Sequence, residues 1–158
     1  MNIPILIMLL SVLLGTLVAC APTTDTIQAA VAQPARPDHD LLGLWQLGDA
    51  SQIKDIPPGI TLAIREASEH NGNALHISGY AGINDYVSDA LVDPSQQRFI
   101  LSTKIGTTEK WGPLPRQDFE QSYLDALDGV VSYHLAAGTQ LTLITLQGAK
   151  LQFRRVDN

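Results

Sequence analysis

A single cysteine, Cys20, occurs in 158 residues, so no disulfide can close within the chain and no cysteine-based zinc site can assemble. Any folded part must hold together by its core alone. Charge is sparse at 16%, while hydrophobic residues reach 45%, a balance far from the polar, highly charged regime of chains that cannot fold. Basic residues are outnumbered 10 to 16, which gives a net charge of -6. That deficit argues against a nucleic-acid partner, whose phosphates demand a basic face, and against a polybasic grip on anionic lipid heads.

Familiar catalytic signatures are also missing. The chain has no Gly-x-Ser-x-Gly elbow, no glycine-rich phosphate cradle after a strand, and no second histidine at helical spacing from a first. His39 and His70 read as loop residues, and His76 and His134 fall on the polar phase of strands, which favours a surface role over metal ligation. Asp125 and Asp128 are three apart on a helix and could be imagined as an acid pair, but a solvated face explains them better. No enzyme, metal or cofactor is expected.

One long apolar run is present. Residues 3–19 read IPILIMLLSVLLGTLVA, no Asp, Glu, Lys or Arg precedes Cys20, and the run is slightly short of the roughly 20 residues that span a bilayer as a helix. It ends in Leu17-Val18-Ala19-Cys20, which resembles the lipobox of bacterial lipoproteins. The resemblance implies a signal over residues 1–19, cleavage before Cys20, and lipid on its thiol and freed amine. Several acyl chains are needed, because burial contributes about 0.8 kcal/mol per methylene and one chain holds only marginally. The alternative is an uncleaved membrane helix with Cys20 as a bystander, which the short span and lack of flanking Lys or Arg disfavour. Only Met1 and Asn2 precede the run, without the usual basic residues, and a start further upstream stays open. Ala21 follows the cysteine where Asp would resemble an inner-membrane retention signal, so the expected location is the outer membrane, facing the periplasm. Residues 20–40, rich in Ala, Pro, Thr, Gln and Asp, read as a flexible lipidated tether.

Beyond the tether, short segments alternate apolar and polar residues, as half-buried strands do. Ile60, Leu62 and Ile64 share one face, and Leu75, Ile77 and Gly79 another, after the turn material His70-Asn71-Gly72-Asn73. Val131, Tyr133 and Leu135 precede Ala137-Gly138-Thr139; Leu141 and Leu143 lead to Gln147-Gly148-Ala149; Leu151 and Phe153 follow. Connections this short force antiparallel neighbours, so the last third is predicted to be a three-stranded meander. Helical spacing appears once. Phe119, Tyr123, Ala126 and Leu127 predict a helix over residues 116–128, with Gly129 placed to stop it in a left-handed conformation. A lone amphipathic helix must pack on the sheet, which gives an α+β domain.

Through the whole domain runs a set of fragments whose order and spacing resemble the META family, which includes HslJ-like envelope proteins. They are Gly43-Leu44-Trp45, Gly79-Tyr80-Ala81-Gly82-Ile83-Asn84-Asp85-Tyr86, Ser102-Thr103-Lys104-Ile105-Gly106-Thr107, then Glu120, Leu124, Leu127, Tyr133, Leu141, Leu143, Leu151 and Phe153. The resemblance implies one domain over residues 41–158: a single curved antiparallel sheet, partly barrel-like, packed on one helix. It also implies an envelope role tied to stress or antibiotic tolerance, and it carries no catalytic site. Two family positions often occupied by cysteine are here Ile83 and Thr107, which the resemblance implies should approach each other.

Read from the residues alone, Gly79 and Gly82 permit tight backbone, Asn84 can bond amides in a turn, and Trp45 supplies core contact area. The other reading has Asn84, Asp85 and Tyr86 lining a recognition surface. In the loop KIGTTEKWGPLPR, residues 104–116, Trp111 lies among Lys104, Lys110 and Arg116, a pattern that suits partner binding. The plainer and favoured reading is that Trp111 plugs the core edge. The leading expectation is a non-catalytic envelope module, held to the membrane by Cys20 and binding an envelope protein. A protease-inhibitor lipoprotein would be one form of it. The alternative is a carrier of a small apolar ligand, since Gly43-Leu44-Trp45 also resembles the lipocalin entrance motif.

Overall fold

The computed structural model describes residues 39–67 and 74–156. The signal, Cys20, the tether up to residue 38 and the His70–Asn73 turn lie outside the described residues. A 3-10 turn, His39–Leu41, leads into β1 (Gly43–Ala50), so His39 and Asp40 belong to the folded edge rather than to the tether. There follow β2 (Thr61–Glu66), β3 (Ala74–Tyr80), β4 (Asp85–Asp93), β5 (Arg98–Leu101), β6 (Gly106–Thr107), α1 (Leu114–Asp128), β7 (Val130–Ala136), β8 (Gln140–Thr145) and β9 (Lys150–Arg155).

All pairings are antiparallel, in the order β3-β2-β1-β9-β8-β7-β5-β4, and β4 pairs back onto β3. The sheet therefore closes into an eight-stranded barrel, which leaves no long edge open for another chain. Strand β6 adds a short rung beside β4. The narrowest seam is β5 against β7, where Arg98 partners Ser132 and the Tyr133 amide donates to the Gln97 carbonyl at 2.9 Å. The expected α+β sheet with one helix is found, and the C-terminal meander β7-β8-β9 is as the sequence predicts.

Strand periodicity fixes the interior. Ile60, Leu62, Ile64, Leu75, Ile77, Leu141, Leu143, Leu151 and Phe153 are all buried, each on the predicted face. Two bulges break the alternation. One between Leu47 and Asp49 lets Leu47 and Ala50 both point inward. The other, between Val130 and Ser132, buries Val130 with Tyr133 instead of the expected Val131, because an extra residue shifts the side-chain phase by one.

The helix begins at Leu114, two residues before its predicted start, because Pro113 and Pro115 suit a helix entrance, where a missing N–H leaves no bond unmade. Gly129 ends it with φ -81 and ψ 2, not in the left-handed conformation expected; its N–H donates to the Asp125 carbonyl at 3.1 Å. Phe119, Tyr123 and Leu127 enter the same core as the strands. Tyr123 stacks on Phe119 with centroids 6.1 Å apart and meets Tyr86 edge-on at 5.9 Å.

Trp45 is fully buried, and its indole N–H donates to the Leu41 carbonyl at 2.9 Å. The Arg155 guanidinium lies 4.3 Å from the centroid of that ring. Its N–H groups donate to the carbonyls of Gly138 at 2.6 Å, Leu42 at 2.7 Å and Asp40. One side chain thus fastens the 3-10 turn, β1 and the β7–β8 turn to the end of β9. The charge is tolerated there because it is matched by carbonyl oxygens and an aromatic face.

Candidate functional site

The β3–β4 turn, Ala81 to Asn84, lies beside the first half of α1, and a buried polar network joins them. Glu120 sits on the helix stripe next to Phe119, with only 9% of its surface exposed. Its Oε2 accepts from the Ile83 N–H at 3.1 Å and the Asn84 N–H at 2.7 Å, and Oε1 accepts from Asn84 Nδ2 at 2.7 Å. A buried carboxylate is tolerable only when its lone pairs are met in this way.

Asn84 completes the junction with a saturated side chain. Nδ2 also donates to the Lys110 carbonyl at 3.2 Å, while Oδ1 accepts from Thr108 Oγ1 at 2.8 Å and from the Lys110 N–H at 2.7 Å. Both donors and both acceptor sites of the amide are used. Asp85 lies outside, where its carboxylate pairs with Lys110 Nζ at 3.0 Å and its backbone carbonyl accepts from the Thr108 N–H at 3.0 Å. One more clamp follows Trp111: Gln117 Nε2 donates to the Gly112 carbonyl at 2.5 Å. Gly112 is needed at this point, since a Cβ there would stand 2.5 Å from Ile83 Cδ1.

The loop on both sides of Trp111 is therefore pinned, yet the side chain itself is 91% exposed. This overturns the favoured expectation that Trp111 plugs the core edge. Burying an aromatic side chain of this size would stabilise the fold by roughly 1.5 to 3 kcal/mol, and the fold forgoes it. Trp111 lines an open cleft of about 370 Å³ with Thr107, Glu109, Lys110, Gln117, Gln121 and Leu124.

Of the three residues read as a recognition surface, only Asp85 is exposed. Tyr86 is a correction: it is 1% exposed, because strict alternation along β4 turns it inward. Its hydroxyl donates to the Thr61 carbonyl at 2.9 Å, which leaves Tyr123 Oη to donate to Tyr86 Oη across 2.9 Å. Burial, reinforced by the neighbouring phenol, pushes the Tyr86 pKa well up, and burial also raises that of Tyr123. Ile83 and Thr107 are not ladder partners: Thr107 pairs with Tyr86, and Ile83 packs over Gly112. The loop runs on past β6 before it reaches the turn, so the register offsets the two positions.

The remaining titratable groups stay dispersed. His76 Nδ1 is 3.0 Å from Asp89 Oδ1 on the outer wall, His39 lies 3.6 Å from Glu66, and His134 is exposed. Asp125 accepts from Gln121 Nε2 at 2.8 Å on the exposed helix face. Ser51 and Lys54 have the spacing of a Ser-x-x-Lys pair, contrary to the expectation that the motif is absent. They lie in the turn after β1, and Ser51 Oγ there accepts from the Lys150 N–H at 2.9 Å. Among the described residues, no group of three or more His, Cys, Asp or Glu side chains is placed to hold a metal ion. Sequence reading also missed the part Glu120 plays. The signal was there: a carboxylate on the apolar stripe of Phe119, Tyr123 and Leu127.

A closed antiparallel barrel with one helix, carrying a pinned loop at the helix entrance, defines the class: a small α+β barrel domain. The META domain model matches residues 41–158, and the chain belongs to that family. An NMR structure of a protein from Burkholderia xenovorans has the same fold, with a TM-score of 0.59 and 23% identity, covering 87% of this chain and 100% of its own. A crystal structure from Bacteroides vulgatus, of a protein in a family of unknown function, is more distant. Its TM-score is 0.48 and its identity 11%, over 73% of this chain and 94% of its own. No curated protein matches the chain.

Proposed function

We propose that this protein is a non-catalytic module of the bacterial cell envelope, anchored by lipid on Cys20 at the outer membrane and facing the periplasm. It meets an envelope partner through the surface around Trp111, in the service of envelope maintenance or of tolerance to stress and antibiotics. One observation carries the reading. A tryptophan that is 91% exposed is held on a loop pinned by Gln117 and by Asn84, which Glu120 in turn fixes, the arrangement of a rigid aromatic contact residue. The interior supports a module over an apolar-ligand carrier. Trp45, Tyr86, Phe99, Tyr123 and Phe153 are each at most 1% exposed and fill the space a ligand would occupy.

The test is a photocrosslinking residue placed at position 111 in intact cells, with the exposed position Leu146 as control. A discrete adduct at 111, absent at 146, is the expected result. No adduct, or the same products from both positions, would overturn the reading.

A further inference from the structure

The groups lining the Trp111 cleft have a chemical bias. Gln117 Nε2 gives one N–H to the Gly112 carbonyl and Gln121 Nε2 gives one to Asp125, which fixes both amides and leaves each a second N–H and its carbonyl oxygen. Glu109 adds an exposed carboxylate, and the Lys110 ammonium is held by Asp85. Glu120 is spent as well, because both its oxygens already face the β3–β4 turn. What remains is a row of amide donors and acceptors and one carboxylate beside an aromatic ring.

The Glu109 carboxylate repels phosphate and carboxylate while the Lys110 charge is matched by Asp85, and two amides with a carboxylate are poor company for a wholly apolar ligand. An extended peptide adding a strand has little to pair with, since the eight barrel strands are closed on themselves and only the two-residue β6 flanks the cleft. The ligand that suits this surface is uncharged, rich in hydroxyls that both donate and accept, and flat and apolar on one face. A pyranose ring has those properties. We propose that the cleft is a subsite for a neutral saccharide chain. One sugar ring stacks on Trp111, and its hydroxyls bond the free donors and acceptors of the Gln117 and Gln121 amides and donate to the Glu109 carboxylate. This rests on the reading of Trp111 as the partner contact and gives that partner's chemistry. A volume of about 370 Å³ lies within the range of small-ligand sites, and its openness to solvent suits a polymer that continues beyond it.

The chain has two tryptophans, and they report separately: Trp45 is buried beneath Arg155, while Trp111 is in water. The full chain in detergent micelles is titrated with cellotetraose, chitotetraose and maltotetraose while tryptophan emission is followed. At least one saccharide should give a saturable blue shift. Trp111→Ala should abolish it without lowering the melting temperature, and Gln121→Ala should weaken binding by about tenfold, the worth of one hydrogen bond to a ligand. Leu146→Ala should leave it unchanged. No saturable shift with any of the three up to about 10 mM, beyond the weakest useful affinity, would overturn the proposal, as would a shift that survives Trp111→Ala. A proline-rich peptide is titrated alongside. If it binds where the saccharides do not, the saccharide assignment falls while Trp111 remains a partner contact; the crosslinking at position 111 decides that broader reading by itself.

Discussion

Asn84 bonds the exposed loop directly, and Glu120 holds Asn84 in place. The Glu120 carboxylate is the acceptor for the two backbone N–H groups at the β3–β4 turn and for one side-chain N–H, all drawn out of water. Glu120→Ala strands those donors. Each buried unmet group costs about 1 to 3 kcal/mol, so an overall loss of roughly 3 kcal/mol or more is expected in urea melts, with Trp111 no longer held in one environment. A change within a few tenths would show that the network is ornamental. At Tyr86 and Tyr123 the pH dependence has a definite sign. Burial raises both phenol pKa values, so below about pH 10 both groups are neutral in the folded and unfolded chain alike and contribute no slope. Above that, the unfolded chain gives up its protons first and stability falls as pH rises, by up to about 1.4 kcal/mol per pH unit for each phenol. Tyr123→Phe should therefore lose about 1 kcal/mol at neutral pH for its hydrogen bond, yet decline less steeply than wild type between pH 10 and 11. Equal slopes in denaturant midpoints would refute the assignment.

The strands β2, β3 and β4 come close where Gly79 lies. Gly79 sits across from Leu62 on one side and Tyr86 on the other, and a Cβ there would run into the Thr61 carbonyl and come within 2.7 Å of the Tyr86 hydroxyl. A glycine inside a strand usually weakens it, but at this point it lets the backbone approach the Tyr86 hydroxyl closely enough for the Tyr86 to Thr61 bond. Gly79→Ala is expected to destabilise by about 1 to 3 kcal/mol, as overpacking does, and to disturb Tyr123 on the helix through Tyr86. Near-wild-type melts with an unchanged Tyr123 environment by NMR would contradict this. The helix shows the same dependence on its surroundings. Phe119, Tyr123 and Leu127 announced its buried stripe, but the carboxylate within that stripe acquires its partners only from a turn 36 positions earlier in the chain.

On the scale of the whole molecule, anchor and domain are expected to act separately. Cys20→Ser should leave an uncleaved or soluble precursor with the melting curve of the domain unaltered, because the lipid site lies outside residues 41–158, where the family match falls. Membrane fractionation of the two forms checks it, and a variant retained after signal cleavage would exclude the lipid anchor. Alternation of Ile60, Leu62 and Ile64, and of Leu141 and Leu143, was readable because burial on one face of a strand imposes period two wherever the strand is regular. Val131 was misplaced because a bulge depends on the partner strand, and one chain segment does not carry that information. Closure of the barrel was equally hidden, since β3 finds β4 and β1 finds β9 through pairings that local pattern does not specify. By itself, then, the sequence determined the helix, the C-terminal meander, the buried faces of the regular strands β2, β3, β8 and β9, and the family, all of which follow from local periodicity or contiguous motif. Tertiary structure alone decided that Tyr86 points inward, that Glu120 is met by Asn84, and that Trp111 stands in solvent. Each of these depends on which distant backbone groups arrive beside the side chain, and that is settled only when the barrel closes.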